Sequence, residues 1–402
     1  MKSSRIFQQV RTAIALLIAA LFIPACANAP AQSASPNPQS PITNPQLQAF
    51  LDGYDQFFAN EMALTNTPGA AVVIVKDGKV VFMRGYGVKV AGACDSVDAN
   101  TVFRIGSLSK GFAGVLTGML VQDSLLDWDE KVQKRFPEFT MRDRQQAQRI
   151  NLLHVLSHTT GLPYHAYTNL IERGFDIRRI VTEYFPKAPV SGKEGEFFSY
   201  QNAAFCVVEE VMLGATGKTY QELLSEKIFR PARMNSASCD YETINNAPDK
   251  ALPHFKTGYG WKCGPISQEY YNSKAAGGVN ASIADMGEWL KLLLGHRPDM
   301  VADTILDQVF RPVIKTDKER RIFSGWLDRD AASYALGWRV LQDGADTIIY
   351  HGGYVNGFKG EIAFNRCDDI GICVLFNAHS QLSRACVPAF FERWKGQRQA
   401  LR

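Results

Sequence analysis

The sequence lacks the signatures of several protein classes. None of its eight cysteines forms a C-x-x-C pair, no G-x-S-x-G or H-E-x-x-H motif occurs, and no segment is repeated. An excess of charge is also missing. The first 26 residues hold 3 of the 44 basic residues and no acidic ones, which leaves 41 basic against 40 acidic residues. The chain is therefore not expected to bind nucleic acid. With 46% hydrophobic residues over 402 positions, it has enough apolar material for a full core.

The N-terminus is basic and then apolar. Lys2, Arg5 and Arg11 precede the run AIALLIAALFI at positions 13–23, and the small residues PACANA follow. This run is too short to span a bilayer and is typical of a secretory signal. Two processing routes are open: cleavage after ACA, or lipidation of Cys26, because IPAC resembles a bacterial lipobox with an atypical proline. Lipidation is the preferred hypothesis, and it places an exported, lipid-anchored protein in the periplasm or cell envelope.

Three regions are predicted along the chain. Residues 1–26 form the signal peptide. Residues 27–46 are rich in Pro and Ser and cannot bury enough apolar surface to fold, so we expect a flexible linker. Residues 47–402 form one folded domain.

Strand and helix patterns alternate along this domain. Two β-branched runs around Asp77-Gly78 predict a hairpin, and YALGWRVL, DTIIYHGG, GEIAFN and GICVLFN indicate further strands near the C-terminus. From Gly111 to about Gln133, and through most of the middle of the chain, the pattern is helical.

These patterns predict an α+β fold. An antiparallel sheet built from about 47–105 and 330–402 is flanked by helices, and a mainly helical subdomain is inserted at about 106–275. The cleft between the sheet and the helices is the natural place for a functional site.

The eight cysteines do not reveal a pairing scheme. Disulfides would be permitted outside the cytoplasm, but their connectivity cannot be read from the sequence. We expect mostly buried, unreactive thiols. Cys367 and Cys373 are the one close pair that could face each other across a hairpin.

Ser107 and Lys110 form the single S-x-x-K of the chain, in RIGSLSKGF. At spacing i and i+3 the amine can reach the hydroxyl on one helix face. A lysine acts as a base near neutral pH only if its pKa of about 10.4 falls by roughly three units, which costs about 4 kcal/mol. Burial can supply most of that change, and the flanking residues are apolar. The alternative is an ordinary serine and lysine in a first helical turn, so the motif needs partners.

A tyrosine that shares the proton and an amide that holds a substrate would complete such a site. Four Y-x-N triplets occur, beginning at positions 167, 200, 270 and 354. Tyr200 and Asn202 are the preferred pair, because they follow a glycine turn and lead into an apolar helix, which would project both side chains from a fixed loop.

Several segments in order resemble one known family. They are FRIGSLSKGF, LLHVLSHTTGLP, FFSYQNAAF, AAGGVNASIADMGEWL and YHGGYVNGF. Together they resemble the serine β-lactamases and penicillin-binding proteins, in the branch of the class C β-lactamases and DD-peptidases. The resemblance covers about residue 47 to the C-terminus and implies acyl transfer through a serine ester, without a cofactor or a metal.

The resemblance also implies a role for each residue. Ser107 would be acylated, Lys110 and Tyr200 would move its proton, and Asn202 would bind the substrate's amide. The backbone N–H groups of Ser107 and Tyr354 would form the oxyanion hole.

The family's third motif is K-T-G or a variant. A literal KTG occurs at 256–258, but its Gly- and Pro-rich surroundings predict a loop, whereas the motif must lie on a strand facing the serine. We therefore assign the third motif to His351, Gly352 and Gly353. A histidine is only partly charged near neutral pH, so it is a poorer partner for a substrate carboxylate than lysine. Strong β-lactamase activity is not expected.

The sequence thus predicts an exported serine hydrolase. Its expected substrates are D-amino-acid peptides, followed by small esters and then β-lactams. A non-catalytic module that binds peptidoglycan or a partner is the alternative of another class, and the intact serine, lysine and tyrosine argue against it. His154 and His158 could face one side of a helix, but without the H-E-x-x-H glutamate no metal site is expected.

Overall fold

The computed structural model describes residues 44–316, 326, 331–344 and 346–401. The predicted signal peptide, Cys26 and the linker up to residue 43 lie outside these residues. Within them, no helix is both long enough and apolar enough to span a membrane.

In the described residues, the main sheet has eight antiparallel strands in the order β2-β1-β12-β11-β10-β9-β8-β7. Strands from both ends of the domain therefore complete one sheet, which confirms the predicted fold class. Two further pairs, β3 with β6 and β4 with β5, stand apart from it. The strands are β1 (Gly69–Lys76), β2 (Lys79–Gly87), β3 (Val102–Arg104), β4 (His254–Thr257), β5 (Gly260–Cys263), β6 (Asn280–Ser282), β7 (Ile314–Lys315), β8 (Ala331–Tyr334), β9 (Arg339–Asp343), β10 (Asp346–Val355), β11 (Phe358–Asn365) and β12 (Ile370–Phe376).

Helices cover both faces of the sheet, and most of them come from the middle of the chain. They are α1 (Pro45–Leu64), α2 (Ser109–Gln122), α3 (Val132–Arg135), α4 (Arg144–Arg149), α5 (Leu152–Leu156), α6 (Thr168–Glu172), α7 (Ile177–Arg179), α8 (Asn202–Phe205), α9 (Val207–Thr216), α10 (Tyr220–Leu224), α11 (Tyr241–Asn246), α12 (Lys274–Gly277), α13 (Ile283–Leu293), α14 (Asp303–Phe310) and α15 (Leu382–Leu401).

The hairpin between β1 and β2 turns at Asp77-Gly78, as predicted. Both residues have positive φ, 50° and 69°, which is the backbone of a type I′ turn and suits the twist of the flanking strands.

Both faces of the sheet are buried, and β1 shows the alternation. Val73 and Val75 belong to the core that contains α2 and α13, whereas Val72 and Ile74 belong to the core formed with α1 and α15. Side chains on a strand alternate between faces. An uninterrupted apolar strand such as β1 is therefore what a sheet covered on both sides requires.

Helix α2 is buried along nearly its whole length, and its small residues let neighbouring chain segments approach. A Cβ atom on Gly111 would lie 2.3 Å from the Trp338 ring, and one on Gly114 would lie 2.1 Å from the carbonyl oxygen of Leu336. The loop that joins β8 and β9 thus packs directly against the helix backbone. This burial takes Lys110, in the first turn of α2, out of contact with water.

The predicted helix from 111 to about 133 was too long. Helix α2 ends at Gln122, and a separate turn of helix follows at α3. Ser124 adopts a left-handed backbone, with φ of 59°, and the amides of Asp123 and Leu125 bond the carbonyls of Met119 and Leu120. A left-handed residue is a common helix terminator. Here no glycine or asparagine marks it in the sequence.

The suggested proximity of Cys367 and Cys373 does not lead to a bond. Both thiols are free: Cys367 is exposed in the turn between β11 and β12, while Cys373 is fully buried in β12.

The stacked rings of Phe112 and Trp289 join α2 to α13, with centroids 4.0 Å apart and planes at 10°. Both side chains are fully buried. We expect Phe112→Ala to lower the free energy of unfolding by about 3–5 kcal/mol, because it leaves a cavity between the two helices. Leu64→Ala, at a side chain 78% exposed, should change it by less than about 0.5 kcal/mol. Denaturant unfolding of both variants measures this, and equal losses would contradict the assignment.

Candidate active site

A cleft with a volume of about 350 Å³ lies beside the edge of β10. Its walls come from the turn before α2, from the segments around α6 and α8, from α12, and from β9 to β11. Among its lining residues are Ser107, Tyr164, His165, Tyr200, Asn202, Tyr270, Arg339, Gly352, Gly353, Tyr354 and Lys359.

Ser107 lies in a single 3-10 turn, Gly106–Leu108, immediately before α2. The second serine of the motif has a different task. The Ser109 hydroxyl donates to the Gly106 carbonyl at 2.7 Å and accepts the Val279 amide at 3.0 Å. Ser109 thus fixes the backbone of the turn, and Ser107 faces the cleft.

Lys110 lies beneath Ser107 and is fully buried. Its Nζ is 3.2 Å from Ser107 Oγ, and it donates to Asn202 Oδ1 at 2.8 Å and to the Ala276 carbonyl at 2.9 Å. The pKa of Lys110 falls from 10.5 to about 7. Burial is the largest cause, Cys206 acts in the opposite direction, and the positive charge of Arg339 contributes to the lowering. The amine can therefore be neutral near physiological pH, as the sequence argument required.

Tyr200 also approaches the Ser107 hydroxyl. Its Oη lies 3.1 Å from Ser107 Oγ, and its ring is 4.8 Å from Lys110 Nζ. The structure therefore brings together four predicted residues, the three above and Asn202, whose amide also donates to Tyr270 Oη at 3.3 Å.

His158 holds the segment that carries Tyr200. Its Nδ1 accepts the Gln201 amide at 3.2 Å, and its ring lies 4.3 Å from that of Tyr200. Burial, followed by the charges of Lys110 and Arg339, keeps the pKa of His158 well below its usual value. His154 instead completes a capping box with Asn151 at the start of α5. Within the described residues, no group of three or more His, Cys, Asp or Glu side chains is arranged to hold a metal ion.

The backbone of β10 passes directly against the serine turn. A Cβ atom on Gly353 would lie 2.2 Å from the Ile105 carbonyl oxygen and 2.9 Å from the Ser107 nitrogen, so only glycine fits. Strand β9 pairs with β10 as far as Tyr350. In the described part of the chain, no strand pairs with 351–355 on that side, and this edge of β10 borders the cleft.

The turn after β10 decides where the Tyr354 amide points. Asn356 and Gly357 both have positive φ, 42° and 87°, so the hairpin closes with a two-residue turn. Val355 and Phe358 then form the hydrogen-bonded closing pair, and the next pair, Tyr354 with Lys359, does not exchange ladder bonds. The Tyr354 N–H therefore points away from β11, toward the open edge.

His351 lies on β10 as assigned, but its side chain is fully buried. Nδ1 is 2.9 Å from the Gly352 carbonyl, and Nε2 is 3.1 Å from Tyr334 Oη and 3.4 Å from Arg339 Nη1. Burial and the charge of Arg339 hold the pKa of His351 well below its usual value. The ring is thus neutral, rather than partly charged as expected.

The literal KTG lies elsewhere. The predicted loop was wrong, since 254–257 and 260–263 form the β4–β5 hairpin, apart from the main sheet. Lys256 is exposed there and lies 4.9 Å from the Trp261 ring. It does not line the cleft.

Arg339 is a cleft residue that the sequence argument missed. Its guanidinium carbon lies 5.3 Å from the Tyr200 ring and 5.6 Å from the Tyr334 ring. The one available signal was a charged residue within the apolar strand YALGWRVL. Sequence alone gave no reason to place that strand beside Tyr200.

Comparison with known proteins finds relatives over most of the chain. Protein flp of Staphylococcus aureus (strain N315) is 24% identical over 334 residues, which is 81% of this chain and 63% of that protein. Unguisins hydrolase ungD' of Aspergillus campestris is 26% identical over 353 residues, or 83% of this chain and 63% of the relative. The chain thus spans less than two thirds of the length of these relatives.

The octameric penicillin-binding protein homologue from Pyrococcus abyssi has a similar fold. Its TM-score is 0.73 at 22% identity, and the match covers 87% of this chain and 77% of that one. The family model described as Beta-lactamase matches residues 54–391. Because this match spans most of the chain, the protein belongs to the Beta-lactamase family, together with the serine β-lactamases and penicillin-binding proteins.

Proposed function

We propose that this protein is a serine hydrolase that forms an acyl-enzyme on Ser107. The observation that carries the proposal is the bonding of Lys110 Nζ. Two carbonyl oxygens, on Asn202 and Ala276, lie 2.8 and 2.9 Å away, and Ser107 Oγ lies at 3.2 Å. A neutral amine has two protons and one lone pair. The carbonyls take both protons, which leaves the lone pair for the serine hydroxyl.

The proposed reaction uses these groups in turn. Lys110 accepts the proton as Ser107 Oγ attacks the substrate carbonyl, and the oxyanion is held by the N–H groups of Ser107 and Tyr354. Tyr200, 3.1 Å from Oγ, passes a proton from the lysine to the leaving group, so that the carbonyl–leaving-group bond breaks. A water molecule then attacks the ester carbonyl, and its proton passes through the same groups to Ser107 Oγ. The bond between Oγ and the acyl carbon breaks, which releases the acid and restores the serine.

D-amino-acid peptides are the proposed substrates. The open edge of β10 supports this proposal, since an extended peptide can add to a free strand edge through main-chain hydrogen bonds. Asn202 and Gly353 would then flank the amide to be cleaved. The name of the fungal relative, a hydrolase of unguisins, fits hydrolysis in a related site.

Small esters are the second candidate class, and His351 favours them. Its ring is buried and neutral, so the third motif offers no charge to a substrate carboxylate. The same fact argues against strong β-lactamase activity. A purely binding module would have no use for a buried lysine beneath a serine, an arrangement that costs folding energy.

Covalent labelling tests the proposed nucleophile. We expect a fluorophosphonate to add one equivalent to Ser107, found by mass spectrometry of the tryptic peptide, because the paired lysine activates that hydroxyl. Ser107→Ala should abolish the adduct and lower ester turnover by at least about a thousandfold. The exposed Ser191→Ala should label as the unmodified protein does. No adduct on Ser107 would refute the hydrolase.

Substrate choice is decided by three assays in parallel. Release of D-alanine from a D-Ala-D-Ala peptide at a higher kcat/KM than release of nitrophenol from an acetate ester supports the peptidase. The reverse order, with no penicilloyl adduct on Ser107, supports the esterase.

The acidic limb of the pH profile should report Lys110. Its pKa of about 7 means that the amine is protonated below that pH, and kcat/KM should then fall about tenfold for each further pH unit. Arg339→Met removes a charge that lowers this pKa, so the limb should move to higher pH. Arg384→Met, at an exposed arginine in α15, should leave it in place. A limb that moves to lower pH in Arg339→Met would contradict the assignment.

A further inference from the structure

A carboxyl group behind the lysine is not used by the proposed mechanism. Glu209, in α9, accepts the Ala275 amide through Oε1 at 2.8 Å. The carbonyl of the next residue, Ala276, accepts Lys110 Nζ at 2.9 Å. Two consecutive residues of α12 thus connect Glu209 to Lys110.

Helix α12 needs an external hydrogen-bond acceptor. It is a single turn, and the side chain of its N-cap residue, Ser273, makes no capping bond. The first amides of a helix have no partner within it, and one turn has little stability of its own. The Glu209 carboxyl, which comes from a different helix, supplies the acceptor for the Ala275 amide.

Glu209 occupies a costly position for a carboxyl group. Its pKa is raised to about 7, and burial is the largest cause. The hydrogen bond from the Ala275 amide, the charge of Lys274 and a hydrogen bond with Cys206 act in the opposite direction, while the charge of Glu210 also raises the pKa. Glu209 in turn raises the pKa of the buried Cys239 thiol and of the buried Tyr220 hydroxyl. Such a group would be replaced by an apolar one without loss if it served packing alone.

We propose that Glu209 is a positioning residue for Lys110, which fixes α12 so that the Ala276 carbonyl holds the lysine amine toward Ser107. The inference rests on the proposed function, because it assigns Glu209 a purpose only if Lys110 is the base. Glu209 touches neither substrate nor serine and acts through the α12 backbone. A displacement of about 1 Å at a reacting group can cost about a hundredfold in rate.

The test compares Glu209→Leu, Glu209→Gln and Glu210→Leu. Glutamine keeps an acceptor oxygen without the charge, whereas leucine removes it. Glu210 is the neighbouring residue on α9 and forms an ion pair with Arg178 near the surface, so Glu210→Leu is a matched control. The inactivation rate constant and binding constant of a fluorophosphonate are measured for each variant from pH 5 to 9, along with the melting temperature.

In Glu209→Leu we expect the inactivation rate constant to fall by about 10- to 100-fold, with the binding constant changed less than about threefold. Its acidic limb should move to lower pH, because the ammonium form of Lys110 loses a well-placed acceptor. Glu209→Gln should recover to within about threefold of the unmodified protein, and Glu210→Leu should match it.

Other outcomes overturn the inference. If Glu209→Leu reacts with the fluorophosphonate as fast as the unmodified protein, the inference is wrong, even if the melting temperature falls. Glu209 would then have a structural role alone. Equal slowing in Glu209→Leu and Glu210→Leu also contradicts it, as does a glutamine variant as slow as the leucine one. If Glu209→Leu does not fold, Glu209→Met answers the same question. An unmodified protein that does not react at all refutes the proposed function instead.

Discussion

The site depends on one constraint: an amine must be kept from water without being left unpaired. Lys110 meets both demands, because α2 is enclosed by the sheet, by α13 and by α12, while Asn202 and Ala276 accept its hydrogen bonds. Burial of the amine without these acceptors would strongly destabilise the folded state. Acceptors without burial would leave the lysine protonated. The single turn of α12 serves the same end, since it brings the Ala276 carbonyl to the amine.

Apart from Cys206, the main influences on the pKa of Lys110 disfavour its charged form. His158 and His351 are both buried and neutral, and Arg339 is the nearby positive charge that disfavours an ammonium. No described carboxylate is a principal influence on the lysine. A carboxylate beside it would stabilise the ammonium and defeat a base. Glu209 is separated from the Lys110 amine by the Ala275–Ala276 backbone. It therefore accepts a hydrogen bond from the Ala275 amide and forms no direct ion pair with the lysine.

The sequence predicted those parts of the molecule that local patterns encode. The β1–β2 hairpin follows from Asp77-Gly78, and the meeting of Ser107 with Lys110 follows from their spacing. Tyr200 and Asn202 could be chosen because they follow a glycine turn and lead into an apolar helix. Arg339, Ala276 and Glu209 could not, since each reaches the site only after distant segments pack together. The loop predicted at the KTG segment was wrong, because its Gly and Pro content indicated a turn although the segment forms one strand of the short β4–β5 hairpin.

The open edge of β10 exposes the protein to unwanted strand pairing. An unpaired strand edge can in principle pair with any extended chain, including another copy of this protein. Here Gly352 and Gly353 weaken pairing at that edge, because neither offers a side chain to a neighbouring strand. The stretch that no described strand pairs on this side, 351–355, is also only five residues long. Recognition at this edge must then come from the walls of the cleft. The strand itself offers only a short row of main-chain hydrogen bonds. These select a peptide with an extended backbone but do not distinguish one peptide sequence from another.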